Sequence, residues 1–204
     1  MKKVKLIIRN INSIDFKTTH IEDLLKNIHP RYREKYLRSK SERVRQQALL
    51  SGLLLHQEFN LTENSNLIIN EYGKPSLADQ SMHFSLSHSG DYVILAVSDI
   101  PVGADIEGRT KGTMKIARKA FPRKWVFELE KLDSDKSPDF QKEFSRYWTL
   151  YEASVKLMGC GFAKRVSDED ILQLASTAYT TEHDSYSISI AARQPFEVIL
   201  EKSI

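Results

Sequence analysis

The chain has 204 residues, 41% of them hydrophobic and 28% charged, with a formal net charge of +3. That length and apolar content can bury a sizeable core, in one large domain or in two small ones sharing an interface. The charge is spread along the chain and too small to name a nucleic-acid partner, though it permits a local anion site. Cys160 is the only cysteine, which excludes an intrachain disulfide and a CxxC metal clip and suits a reducing compartment. No stretch approaches membrane-spanning length. The basic segment Met1 to Asn10 carries only the short apolar run Leu6, Ile7, Ile8, too brief for a signal peptide. The expectation is a cytoplasmic protein with no membrane partner.

In chain order, Val4 to Arg9 is β-branched and apolar and predicts a first strand. Pro30 opens a helical stretch from Arg31 to Phe59, which Ser39 to Ser41 can divide in two. Leu67 to Asn70 and Met82 to Leu86 predict strands on either side of the Gly73-Lys74-Pro75 turn. Tyr92 to Ser98 follows the Gly90-Asp91 turn as another strand. Val102 to Glu107 is a short strand. Thr113 to Phe121 and Pro122 to Leu132 then read as consecutive helices, with Pro122 suited to the first turn of the second. Asp133 to Asp139 reads as a polar loop, and Phe144 to Met158 as a helix that ends at Gly159 and Gly161. Tyr186 to Ala192 and Phe196 to Leu200 return to strand. The order of helices and strands thus occurs twice, over 1–103 and 104–204.

Alternation in Val102-Gly103-Ala104-Asp105-Ile106-Glu107 puts Asp105 and Glu107 on one strand face. They are about 7 Å apart at strand rise, a repulsion that a hard divalent cation would relieve if the face is partly buried. For a bare D-x-E, a solvated edge with two ordinary acids is the commoner reading, and the motif alone is weak. Trp148, Glu152 and Lys156 recur at i, i+4 and i+8, so one helical face offers an aromatic, a carboxylate and an ammonium. A simple surface ion pair explains Glu152 and Lys156 alone, but not their combination with Gly159-Cys160-Gly161, where backbone can approach something closely. In Phe84-Ser85-Leu86-Ser87-His88-Ser89-Gly90, adjacent strand residues point to opposite faces, so Ser87 and His88 cannot form a hydrolase dyad. His88 is a candidate ligand-binding residue or part of a capped turn. Lys74, on the Glu71-Tyr72-Gly73-Lys74-Pro75 turn, suits a phosphate or plain surface chemistry.

Taken together, Gly73-Lys74-Pro75, Phe84-x-Leu86-Ser87-His88-Ser89-Gly90, Val102-Gly103-x-Asp105-Ile106-Glu107 and Trp148-Thr149-x-x-Glu152-Ala153-x-x-Lys156 with Gly159-x-Gly161 resemble the 4'-phosphopantetheinyl transferases of the surfactin-synthetase-activating type. Four motifs in the right order are more specific than any one. The resemblance extends to Ile28-x-Pro30-x-x-Arg33-Glu34-Lys35 and to Ile116-Ala117-Arg118 before Phe121, so it covers most of the chain.

The resemblance implies an α+β fold of two similar α/β halves in one chain, each a mainly antiparallel sheet packed with helices, with the active site at their interface. The halves would be 1–103, binding coenzyme A, and 104–204, carrying the magnesium-binding and catalytic residues. It implies transfer of phosphopantetheine from coenzyme A to a serine of an apo acyl or peptidyl carrier protein, with release of 3',5'-ADP. Mg2+ would be held by Asp105, Glu107 and Glu152, a few carboxylates with room left for phosphate oxygens and water. Lys156 would stabilise phosphate charge, and Glu152 or a metal-ordered water would take the serine proton, with Glu152 favoured as the rigidly placed group. Lys35, Lys74, Pro75, Ser87, His88 and Lys156 would bind coenzyme A. Three positions depart from the family: Tyr151 and Tyr32 stand where a basic residue is usual, and Ala104 where a β-branched one is. With both halves of the site in one chain, the expected state is a monomer.

Two other classes share some of these residues. The basic run Arg31, Arg33, Lys35, Arg38, Lys40, Arg43, Arg45 would suit a nucleic-acid binder, but the acidic trio argues against a backbone-tracking surface, so no nucleic-acid partner is expected. Another magnesium-dependent phosphoryl-transfer enzyme would also use the trio, but no phosphate-binding P-loop pattern supports it.

Overall fold

The computed structural model describes residues 1–14, 20–65, 67–108, 112–161 and 166–201. Among them are strand β1 (Lys2–Asn10), helices α1 (Ile21–Lys26), α2 (Pro30–Arg38) and α3 (Glu42–Phe59), and strands β2 (Leu67–Ile69), β3 (Pro75–Leu77), β4 (His83–Ser89), β5 (Tyr92–Ser98) and β6 (Val102–Gly108). Helices α4 (Met114–Ala120), α5 (Arg123–Glu130), α6 (Pro138–Met158) and α7 (Asp168–Thr177) follow, then β7 (Tyr179–His183), β8 (Tyr186–Ala192) and β9 (Phe196–Glu201). The fold is α+β. No helix of the described residues is long and apolar enough to cross a membrane.

The main sheet has the order β4-β5-β1-β9, and a second has the order β6-β8-β7. In the main sheet neighbours pair antiparallel except β1 and β9, which run parallel, so β9 joins the sheet of the first strand. Odd-numbered residues of β5 and Ile7 face α1–α3, where Leu49, Leu55 and Ile28 are fully enclosed. Even-numbered residues Val4, Leu6, Ile94 and Ala96 face the second sheet, where they meet Ala104, Ile106, Ile188 and Ile190. The remaining face of the second sheet carries α6, with Ala153 and Leu157 against Ala191. Period-two alternation in β6 therefore sends its even residues into the inter-sheet core and its odd residues towards α6.

The break at Ser39 to Ser41 separates α2 from α3, each with its own start: Pro30 occupies the first turn of α2, and His29 Nδ1 accepts from Arg31 N. Other boundaries differ from the sequence reading. Helix α6 begins at Pro138 within the expected loop, because Ser137 caps it by accepting from Phe140 N, and Phe140 is fully buried. Pro122 lies just before α5 and caps it without a side-chain bond, instead of sitting in its first turn. Helix α1 and the short β3 were unanticipated, as were α7 and the edge strand β7, whose Thr180, Thr181 and Glu182 carry no apolar pattern.

Candidate active site

Strand β6 delivers Asp105 and Glu107 to the face that meets α6, and Gly103 sets how close the helix comes. A Cβ at Gly103 would lie 2.0 Å from the Ala153 carbonyl oxygen and 2.4 Å from Leu157 N, so helix backbone rests directly on strand backbone. Trp148, Glu152 and Lys156 then project on successive turns of α6. Lys156 Nζ reaches Asp105 Oδ1 at 2.5 Å and Ser87 Oγ at 2.8 Å. A residue of β4, one of β6 and one of α6 thus converge on one oxygen.

Strand β4 is joined to β6 through its serine side chains. Ser85, Ser87 and Ser89 Oγ accept from the backbone N–H of Ala104 (2.9 Å), Ile106 (3.4 Å) and Gly108 (3.2 Å). Two of the hydroxyls also donate to the acids: Ser87 to Asp105 Oδ1 (2.7 Å) and Ser89 to Glu107 Oε2 (2.8 Å). The S-x-S-x-S spacing matches the period of β6, so hydroxyls satisfy edge amides that would otherwise be orphaned. Sequence reasoning saw a cluster of small hydroxyl residues but not this ladder; its signal is the shared period two of Ser85-Ser87-Ser89 and Gly103-Asp105-Glu107. Ser87 is 6% exposed, and its hydroxyl serves Asp105, Lys156 and Ile106. Ser85→Ala is expected to lower stability by about 1–3 kcal/mol, the cost of an unsatisfied buried N–H, with turnover nearly unchanged. A denaturant midpoint equal to the parent's would contradict the ladder's role.

Asp105 is 1% exposed. Burial raises its proton affinity, which Lys156 and Ser87 partly offset. Its Oδ2 is buried without a hydrogen-bond partner among the described residues. Burial also raises Glu107, opposed by Ser89 and reinforced by Asp105. Glu152 is pushed up to about 7, by burial first and then by the charges of Asp105 and Glu107, while Lys156 and a hydrogen bond from Trp148 act the other way. Mutual repulsion among enclosed carboxylates, hard oxygen donors and one orphaned buried oxygen are the chemistry of a site for a hard cation. Among the described residues no group of three His, Cys, Asp or Glu side chains is already gathered as a metal cage, and Lys156 neutralises Asp105 instead. Hard oxygen donors of this kind suit a divalent cation.

A cleft of 270 Å³ opens beside this cluster. Tyr72, Pro75, Phe84, Leu86 and Val155 form its apolar walls, with Glu152 and Lys156 at one side. Above the serine ladder, His88 points to the opposite face from Ser87, and Lys35 Nζ donates to its Nε2 at 3.2 Å. Both side chains keep surface open to water, yet the surrounding protein, and then the charges of Lys35 and Lys156, hold the imidazole below its ordinary value. Arg31 donates to the Gly73 carbonyl at 3.2 Å, which brings α2 to the turn. Lys74 also lines the cleft, but its ammonium is bonded to backbone: Nζ donates to Lys156 O (2.6 Å), Leu157 O (3.4 Å) and Val102 O (3.4 Å). Burial alone pushes it down to about 8.

The positions that depart from the resemblance are explained by packing. Tyr32 is 7% exposed in the core beneath α2 and α3, where burial pushes its hydroxyl up to about 12. Tyr151 leans on Phe121, with ring centroids 6.3 Å apart, and joins the core under α4–α6. Ala104 is fully buried between the sheets.

The family model described as the 4'-phosphopantetheinyl transferase superfamily matches residues 101–197. The 4'-phosphopantetheinyl transferase gsp of Aneurinibacillus migulanus is 31% identical over 164 residues, 76% of this chain and 65% of its own length. The 4'-phosphopantetheinyl transferase Sfp of Bacillus subtilis is 30% identical over 148 residues, 70% of this chain and 65% of its own length. For 4'-phosphopantetheinyl transferase AcpT of Salmonella typhimurium the figures are 30% over 159 residues, 75% of this chain and 80% of its own length. The chain thus spans just under two thirds of the first two relatives and four fifths of the third. These likenesses, in a chain that sets two strand carboxylates against a helix glutamate and lysine, place it in the 4'-phosphopantetheinyl transferase superfamily.

Proposed function

We propose that the protein transfers the 4'-phosphopantetheine group of coenzyme A to a serine of an apo carrier protein and releases 3',5'-ADP. The observation that carries this reading is the convergence of Asp105, Glu107, Glu152 and Lys156 at the side of an apolar cleft. Asp105, Glu107 and Glu152 would hold Mg2+, whose charge would neutralise the diphosphate of coenzyme A. Lys156, released from Asp105, would move to the phosphates and offset charge on the departing 3',5'-ADP. Glu152, rigidly placed on α6 at the side of the cleft, would take the proton of the carrier serine as its oxygen attacks the β-phosphorus. Lys35 and His88 would bind a phosphate of the nucleotide: the charges acting on His88 are both positive, and an anion beside the pair would accept from Lys35 and favour a protonated imidazole. Pro75 would wall the cleft. Ser87 would act through the groups it holds. We read the chain as two halves, 1–103 and 104–204, with this cleft between them, and as a cytoplasmic monomer.

The reading is tested by following 3',5'-ADP chromatographically with coenzyme A, Mg2+ and an apo carrier. Release that requires the carrier serine supports it; release that persists with a carrier whose serine is replaced by alanine points to a hydrolase instead. Helices α4 and α5 would dock the carrier. Arg123 and Lys124 are exposed, and Phe127 and Ile116 are 60% and 40% exposed beside them, a basic surface with apolar anchors. Reversing Arg123 and Lys124 to glutamate should raise the Michaelis constant for the carrier and leave that for coenzyme A unchanged. The effect should shrink at high salt, since exposed charges are screened over about 10 Å at 0.1 M ionic strength. Parent-like carrier kinetics at low salt would place docking elsewhere.

A further inference from the structure

The turn that joins β2 to β3 grips the end of α6. Asn70 organises it from within: its Oδ1 accepts from Tyr72 N (3.0 Å) and Lys74 N (2.9 Å), and Gly73 adopts a φ of +86°. Asn70 Nδ2 then donates outward to the Gly159 carbonyl at 2.7 Å. Lys74 makes the second connection. The last turn of a helix leaves carbonyls without intrahelical partners and carries partial negative charge. Gly159, left-handed at φ 66°, turns its N–H back to Val155 O and Lys156 O. The Lys74 ammonium takes Lys156 O and Leu157 O of α6, together with Val102 O of β6. Its three donors meet three carbonyls, and burial without a carboxylate partner lowers its proton affinity. A cation partly stripped of water in this way is committed to what it touches. What it touches is the backbone of Lys156 itself, whose side chain holds Asp105, and of Val102, three residues before Asp105 on β6.

We infer that Lys74 is a positioning residue that sets α6 on β6, and through them Lys156 against Asp105, and that its ammonium is not a ligand of the coenzyme A nucleotide. A nucleotide contact would require it to abandon all three carbonyls. The kinetic part of the test rests on the transferase reading, so it is paired with two measurements that do not. In Lys74→Met the structure predicts coenzyme A affinity, by calorimetry with Mg2+, within about threefold of the parent, and faster hydrogen exchange at the Gly159 amide. Turnover with an apo carrier falls ~10- to 100-fold, as expected for catalytic groups displaced by about an ångström. Lys74→Gln, a neutral donor able to bond carbonyls but not to replace a cation on phosphate, recovers part of that loss. Affinity for coenzyme A reduced tenfold or more, or a Gly159 amide and turnover both unchanged, overturns the inference. If Lys74→Met does not fold, Lys74→Gln alone decides by the same affinity and exchange criteria. A parent without transfer activity would defeat the transferase reading and leave affinity and exchange to judge Lys74.

Discussion

Glu152→Gln is expected to cost ~10²- to 10⁴-fold in turnover, the range for loss of a general base, while making the metal-free protein more heat-stable at pH 8. The two effects have one cause. The carboxyl keeps its proton up to about 7, against 4.5 for an ordinary glutamate, because burial and the charges of Asp105 and Glu107 oppose ionisation. Between those values the folded chain binds more protons than the unfolded one, so stability is fully present below pH 4.5 and is lost as pH rises through 7. Glutamine has no charge to form, and its absence also relieves Asp105 and Glu107. The gain should be on the order of 2 kcal/mol once partial access of water to the side chain is allowed for, a rise in Tm of roughly 4–8 °C for a chain of this size. In chelator the difference should close towards pH 4.5. Added Mg2+ should stabilise the parent more than the variant. A variant that melts below the parent at pH 8 would contradict the electrostatic account of Glu152.

Gly103→Ala should be among the most damaging single-methyl changes in the chain. The added Cβ meets Ala153 O at 2.0 Å, Leu157 N at 2.4 Å and Leu157 Cα at 2.9 Å, all of them backbone. No rotamer change relieves such contacts, so α6 must back away from β6 or the strand must bend. Overpacking of this kind costs about 3 kcal/mol. The displacement falls at Ala153 and Leu157, the neighbours of Glu152 and Lys156, so Lys156 leaves Asp105 and turnover drops ~100-fold or more. Gly52 makes the informative comparison: its Cβ would meet Ile28 Cβ and Cδ1 at 2.9 Å, a smaller overlap and one away from α6, so Gly52→Ala should cost less and leave turnover in place. Equal melting temperatures for Gly103→Ala and the parent would show that helix and strand are not in the close register described.

Much of this arrangement was legible in the sequence because it depends on local periods. Alternation placed Asp105 and Glu107 together, and the i, i+4, i+8 spacing placed Trp148, Glu152 and Lys156 on one helical face. The pairing of Lys156 with Asp105 was not legible, because it joins residues 51 positions apart and depends on Gly103 admitting the helix. Lys74 on its rigid turn left a phosphate site and plain surface chemistry both open, and nucleotide binding came only from the resemblance; the bonds of its ammonium to carbonyls of α6 and β6 are something no side-chain pattern announces. Helix α6 starts earlier than the apolar pattern suggests because its first turn is specified by Ser137 and Pro138, and α7 was missed although Ser167 caps Asp170 N in the same way. Edge strand β7 is polar enough to pass for loop. Tyr32, read as a missing positive charge, is a core residue, and Tyr151, read the same way, packs half-buried on Phe121; the lysines that line the cleft are Lys74 and Lys156.

The central claim is tested most directly by the intact mass of an apo carrier protein incubated with the purified chain, coenzyme A and Mg2+. The account predicts that the carrier gains the mass of one phosphopantetheine on its serine, that chelator prevents the gain, and that the chain with Asp105→Asn does not produce it. A carrier of unchanged mass alongside catalytically active control transferase would contradict the account.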